Sequence, residues 1–198
     1  PRAVVLENVK QLRSHNKGKT LKRIIEILRE LGYWTDYRIL NALNFGLPQK
    51  RERILIVAFK GGQPEGFSWP SKKIEMKPLS KILESDVDAR HYVSDRIRKS
   101  RHDAHTSKHK PGIWHENKSG NIASHPFSCA LRAGASYNYL LVDGERRLTA
   151  REMLRLQGFP DSFEIVCSDS QTRKQAGNAV PVPMVRAVIE SVLHAQQN

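Results

Sequence analysis

The sequence predicts an α/β fold in which part of a doubly wound sheet carries a smaller, loop-rich domain. Three observations predict it. Ala3-Val4-Val5-Leu6 is a short unbroken apolar run, the pattern of a strand buried on both faces of a parallel sheet. Leu21, Ile24, Ile25, Leu28 and Leu31 recur at helical spacing, and Ile54 to Phe59 is a second unbroken apolar run that Gly61-Gly62 ends. From Arg90 to Lys118, by contrast, eight Lys/Arg, three Asp/Glu and five histidines stand with little apolar periodicity.

Each element has a local reason. Thr20 is the expected N-cap of the first helix and Gly32 its stop. Tyr33 to Leu40 reads as a strand, completing a strand–helix–strand–strand order. Residues 82–145 read as a basic, loop-rich insert, with β character returning between Phe127 and Val142. Thr149-Ala150-Arg151-Glu152 is a capping box, and Met153, Leu154, Leu156 and Gly158 make a helix of about two turns. Gly177-Asn178 reads as a left-handed turn before a terminal helix that begins near Pro181 or Pro183. Val185, Val188, Ile189, Val192 and Leu193 are the expected apolar face of that helix.

Composition narrows the function classes. A chain of 198 residues with 39% apolar residues supports one core, or a core with a small satellite. Lys+Arg 33 against Asp+Glu 20 gives +13, a balance that favours a polyanion such as nucleic acid over a generic solvated surface. No apolar run approaches the roughly 18 residues of a membrane span, and no signal peptide is visible, so no membrane partner is expected. Cys129 and Cys167 have neither metal-ligand nor disulfide spacing, which fits a cytoplasmic, reducing compartment.

Three motifs carry candidate chemistry. Glu7-Asn8-Val9 directly follows the first strand, at the sheet edge where open α/β folds bind ligands, though a carboxylate there also serves as a solvated end residue. Gln49-Lys50-Arg51-Glu52-Arg53 places three cations in a turn, either a solvated edge or a pair of guanidinium forks for a base or phosphate. Residues 146–181, RRLTAREMLRLQGFPDSFEIVCSDSQTRKQAGNAVP, join a capped helix to a Gly-Asn pair and a second helix. Together these motifs closely resemble the C-terminal half of DNA (cytosine-5) methyltransferases, over nearly the whole chain apart from its variable middle. The family's Gly-rich loop and Pro-Cys nucleophile precede Glu-Asn-Val and are not in this sequence.

The resemblance implies a Rossmann-like, S-adenosylmethionine-dependent methyltransferase sheet. Residues 1–81 would be the C-terminal half of the catalytic domain, 82–177 a small target-recognition domain, and 178–198 a helix returning to the catalytic domain. It implies that Glu7 stabilises a flipped cytosine at N3, that Arg53 holds the base carbonyl, and that Arg51 supports it. Asn178 and Ala179 would touch S-adenosylmethionine. Double-stranded DNA would be met by Gln49, Ser128, Arg132, Ser136, Arg146 and Arg147, Arg132 being best suited to guanine. The family's usual Thr-Leu pair falls on Ala130-Leu131, so its hydroxyl is absent here. An N-terminal half of the methyltransferase, in the same polypeptide or a separate subunit, would supply the thiolate, since neither Cys129 nor Cys167 lies in a Pro-Cys turn. A non-catalytic DNA-binding module and an RNA methyltransferase of the same fold are the alternatives. His102, His105 and His109 share one helical face, but flanking cations oppose a metal, and no metal ligand is assigned.

Overall fold

The computed structural model describes residues 1–196. Its first sheet joins β1 (Ala3–Val9), β2 (Tyr33–Asn41) and β4 (Glu52–Lys60) in the order β1-β4-β2. Both neighbours run antiparallel to β4, which corrects the expectation of parallel pairing for Ala3–Leu6. β1 and β2 do run the same way, separated by β4. An apolar run reports burial on two faces, not strand direction, and only β4 in the middle has its apolar side chains fully buried.

Helices cover both faces of this sheet. α1 (Lys19–Glu30) places Leu21, Ile24, Ile25 and Leu28 against Ile54 and Ile56 of β4. On the other face Leu55, Val57 and Phe59 meet Met184, Val188 and Val192 of α5 (Val182–Ala195). Alternation along β4 therefore feeds two separate cores. Two boundary expectations change. Gly18, at φ 84°, caps α1 in place of Thr20, which lies inside the helix with its hydroxyl 2.7 Å from His15 Nδ1. The buried stripe of α5 is rotated toward Met184 and Ala195, leaving Ile189 and Leu193 exposed.

The rest of the chain packs around a second sheet. α2 (Asp95–Ala104), read as loop from sequence, carries one buried side chain, Arg101, paired with Glu116 at 2.6 Å. β5 (Ile113–Glu116), β6 (Ile122–His125), β8 (Leu140–Val142) and β9 (Arg146–Arg147) form an antiparallel sheet in the order β6-β5-β8-β9. Ile113, Leu140 and Val142 share a core with Leu154 and Leu156 of α3 (Ala150–Gln157) and Ala176 of α4 (Asp169–Asn178). The Thr149–Glu152 capping box is present, and Gly158 at φ 86° ends α3 as expected.

One short ladder connects the parts. β3 (Gln49–Lys50) pairs in parallel with β7 (Ser128–Cys129), directly before the turn into β4. No helix among the described residues is long and apolar enough to cross a membrane.

Candidate active site

Strand register brings Glu7 and Arg53 together. Glu7 pairs with Leu55 and Val9 with Arg53, so the Glu7 and Arg53 side chains are diagonal neighbours on one sheet face. Arg53 Nε lies 2.8 Å from Glu7 Oε1, and these side chains are 12% and 27% exposed. Arg53 also donates to the Glu52 carbonyl at 2.8 Å. Burial lowers the Arg53 pKa while the Glu7 carboxylate opposes that shift. A partly exposed, oriented carboxylate–guanidinium pair at the carboxyl end of β1 is therefore in place.

Arg51, two residues away, has a different fate. It is 1% exposed, and its guanidinium donates to the carbonyls of Leu131 (2.8 Å), Gly177 (3.0 Å) and Ala179 (2.8 Å). Burial and the nearby Arg53 charge lower its pKa to about 10, so it stays cationic at neutral pH. Its Nε is buried without a partner. Arg51 is thus an internal strut between three segments. It is Arg53, not Arg51, that anchors Glu7.

The Gly-Asn pair also differs from expectation. Gly177 and Asn178 are the last two residues of α4 and not a left-handed turn. Gly177 is required for close approach: a Cβ there would stand 2.5 Å from the Ala133 nitrogen. Asn178 is exposed and Ala179 half-buried, with the Ala179 carbonyl held by Arg51. This turn offers an accessible amide beside a residue bearing only a methyl group.

The residues expected at DNA separate into two groups. Gln49 is fully buried, donating to the Leu156 carbonyl at 2.8 Å and accepting from Leu131 N–H at 3.1 Å. Ser128 is equally buried and donates to the Cys129 carbonyl. Arg146, 7% exposed, forms a two-pronged pair with Glu152 at 2.9 and 2.8 Å. These internal partners assign all three to the framework, a correction to the surface role expected of them. Arg151, beside Glu152 in sequence, donates to the Pro160 carbonyl instead.

Arg132 and Ser136 are exposed, and Arg147 is half-exposed with its Nε on Asn138 Oδ1 at 2.8 Å. The Arg132 guanidinium lies 4.6 Å from the centre of the Tyr139 ring, whose hydroxyl accepts from the Arg132 N–H at 2.9 Å. Sequence reading missed Tyr139 and Arg173 altogether, because a tyrosine and an arginine in a basic chain carry no local mark of these distant partners. The histidines do not converge on a metal: His102 meets Glu145 at 2.7 Å, His105 meets Ser124 at 3.0 Å, and both rings pack on Trp114. No group of three metal-type ligands occurs among the described residues. Burial pushes the Cys129 thiol up, the wrong direction for a nucleophile.

Known methyltransferases are similar to this chain over nearly its whole length. The type II methyltransferases M.NgoBI of Neisseria gonorrhoeae and M.HaeII of Haemophilus aegyptius are each 51% identical to it, covering 94% and 98% of this chain. The match takes in only 59% and 62% of those proteins, so the chain spans about 60% of their length. Two solved structures share the fold over the whole chain: the Entamoeba histolytica methyltransferase EhMeth (TM-score 0.76, 14% identity, 64% of that chain) and S. pombe Dnmt2 (0.73, 21%, 68%). The family described as C-5 cytosine-specific DNA methylase matches residues 1–194, and the chain belongs to that family.

Proposed function

We propose that this chain is the base-binding and target-recognition portion of a DNA (cytosine-5) methyltransferase, acting in the cytoplasm on a specific duplex sequence as in restriction–modification. The observation that carries the reading is the Glu7–Arg53 pair, 2.8 Å apart at the carboxyl end of β1. A cytosine must leave the stack before its C5 and C6 edge is accessible. Glu7 offers a carboxyl group to share a proton with N3 of such a base, and Arg53 offers its remaining N–H groups to the carbonyl at O2. Both contacts draw electron density from the ring and favour addition at C6.

S-adenosylmethionine, when bound, supplies an electrophilic methyl group. Asn178 and Ala179 fit one wall of its site, as an exposed amide and a small half-buried residue at the end of α4. Arg51 keeps that wall in register with the base-binding turn by holding the Ala179 carbonyl. The nucleophilic thiolate comes from an N-terminal portion of the enzyme carrying the Gly-rich and Pro-Cys motifs, in the same polypeptide or a separate subunit. The outer edge of β1 supports a place for it: among the described residues β1 pairs only with β4, and Leu6 and Val9 are 39% and 45% exposed. We divide the chain into catalytic residues 1–81, recognition residues 82–177 and the returning segment 178–198, of which 197–198 lie outside the described residues.

Arg132, Ser136 and Arg147 are the surface groups proposed to meet duplex DNA. The test is methyl transfer from labelled S-adenosylmethionine to duplex DNA. The 198-residue chain should give none, and should gain activity when combined with a Pro-Cys-containing N-terminal portion. Turnover by the chain alone would require another nucleophile and would end this reading. Competition by structured RNA and not by duplex DNA would redirect it to RNA.

A further inference from the structure

The loop Ala133-Gly134-Ala135-Ser136 has almost no side chain with which to hold its own shape. Such a segment loses much conformational freedom on ordering, so its shape has to be imposed by its surroundings. Helix α4 imposes it at two levels. At its last turn Gly177 lies against the backbone of Arg132 and Ala133. One turn earlier Arg173, 9% exposed, donates to the carbonyls of Ala135 at 2.6 Å and Ser136 at 2.8 Å. The same guanidinium lies 4.1 Å from the centre of the Tyr137 ring, and Tyr137 is 57% exposed.

The loop is also tied to the catalytic turn. Arg51 holds the Leu131 carbonyl ahead of the loop and the Gly177 and Ala179 carbonyls at the end of α4. A displaced loop therefore strains the groups that frame the Asn178–Ala179 wall. Packed networks of this kind shift between discrete arrangements and do not deform smoothly.

We infer that Arg173 is a positioning residue for target discrimination: it holds residues 133–137 in the shape that reads the duplex and links that shape, through α4, to the catalytic turn. This rests on the methyltransferase reading above. Both carbonyl contacts come from one terminal nitrogen, Nη2, which the shorter lysine side chain does not reach, and the stacked ring needs a planar guanidinium, which lysine lacks although it keeps the charge. Because the link runs to the catalytic turn, discrimination should appear in kcat and not in KM alone.

The experiment uses the complete methyltransferase, first on a mixed-sequence duplex pool to find its preferred site, then on duplexes with single base pairs replaced. Arg173→Lys should reduce the kcat/KM ratio between preferred and substituted duplexes by about tenfold or more, the scale of one lost bidentate base contact. Its thermal unfolding should stay close to that of the unaltered enzyme. Tyr137→Ala, at an exposed position, should give a smaller loss of the same kind. The double variant should lose no more than Arg173→Lys alone, since both act through one loop. An equal loss on every duplex, an unchanged ratio, a change in KM alone, or additive losses in the double variant would each overturn the positioning role. If the unaltered enzyme methylates no duplex, the methyltransferase reading itself has failed. An active enzyme whose discrimination survives Arg173→Lys removes only this inference.

Discussion

Around β4 the interior is aliphatic and aromatic, whereas around α3 an apolar core is joined by buried charged groups. Leu55, Val57 and Phe59 meet Met184, Val188 and Val192 without a polar group among them. Glu152 is also fully buried, yet it accepts four hydrogen bonds, from the N–H groups of Glu84 and Thr149 and from both terminal nitrogens of Arg146. Arg101 with Glu116, and Arg173 and Arg51 on backbone carbonyls, repeat the pattern in the same part of the molecule. A basic composition is therefore not the same thing as a basic surface. Part of the +13 charge is internal scaffolding, and only the remainder is free to meet phosphate.

The largest effect is expected at the site on the aliphatic side. In the completed enzyme Glu7→Gln should retain DNA affinity and slow kcat by about 10²–10⁴-fold, the usual contribution of a positioned acid or base. Single-turnover methylation beside a DNA-binding isotherm measures both, and a kcat within a factor of a few of the unaltered enzyme would remove Glu7 from the chemistry.

Next comes the charged interior. Glu152→Ala leaves Arg146 buried and unpaired, which should cost about 3–5 kcal/mol in urea unfolding. Replacing Glu152 by Gln and Arg146 by Met together should recover part of that loss, because no uncompensated charge remains and the Gln carbonyl keeps one acceptor for the backbone N–H groups of Glu84 and Thr149. A double variant as unstable as the single one would show that the pair stabilises beyond its mutual compensation. Leu55→Ala, the aliphatic counterpart, should cost about 2–5 kcal/mol with no such rescue by a second substitution.

Smaller effects separate the surface arginines. Arg132→Ala should cost about 1–3 kcal/mol at one base pair and little at the others, if its contact to a base is bidentate. Arg147→Ala should weaken all duplexes alike and flatten the slope of log K against log salt by about 0.9. Binding titrations over a panel of duplexes and salt concentrations distinguish them, and a uniform loss for Arg132→Ala would return it to the phosphate contacts.

Local signals made part of this protein legible from its sequence. The apolar spacing of α1, the unbroken run of β4, the capping box of α3 and the Gly158 stop each depend on neighbours within a few residues, and each stands where those neighbours put it. Glu7, Arg53, Asn178 and Ala179 are site candidates by resemblance alone, and the register of β1 on β4 explains why the first two meet.

The sequence by itself thus determined which segments are helix and strand around β4, the charge of the chain and the motifs of its family. Strand direction, the helix over Asp169–Asn178 and which arginines are buried were decided only by the tertiary structure. The reason is distance along the chain. Arg51 reaches Leu131, Gly177 and Ala179, separated from it by 80, 126 and 128 residues, and Gln49 reaches Leu156 across 107. A guanidinium has the same chemistry in solvent as in a core, so its neighbours in sequence cannot tell a strut from a ligand. Burial, and the carbonyls that burial brings within 3 Å, make that choice.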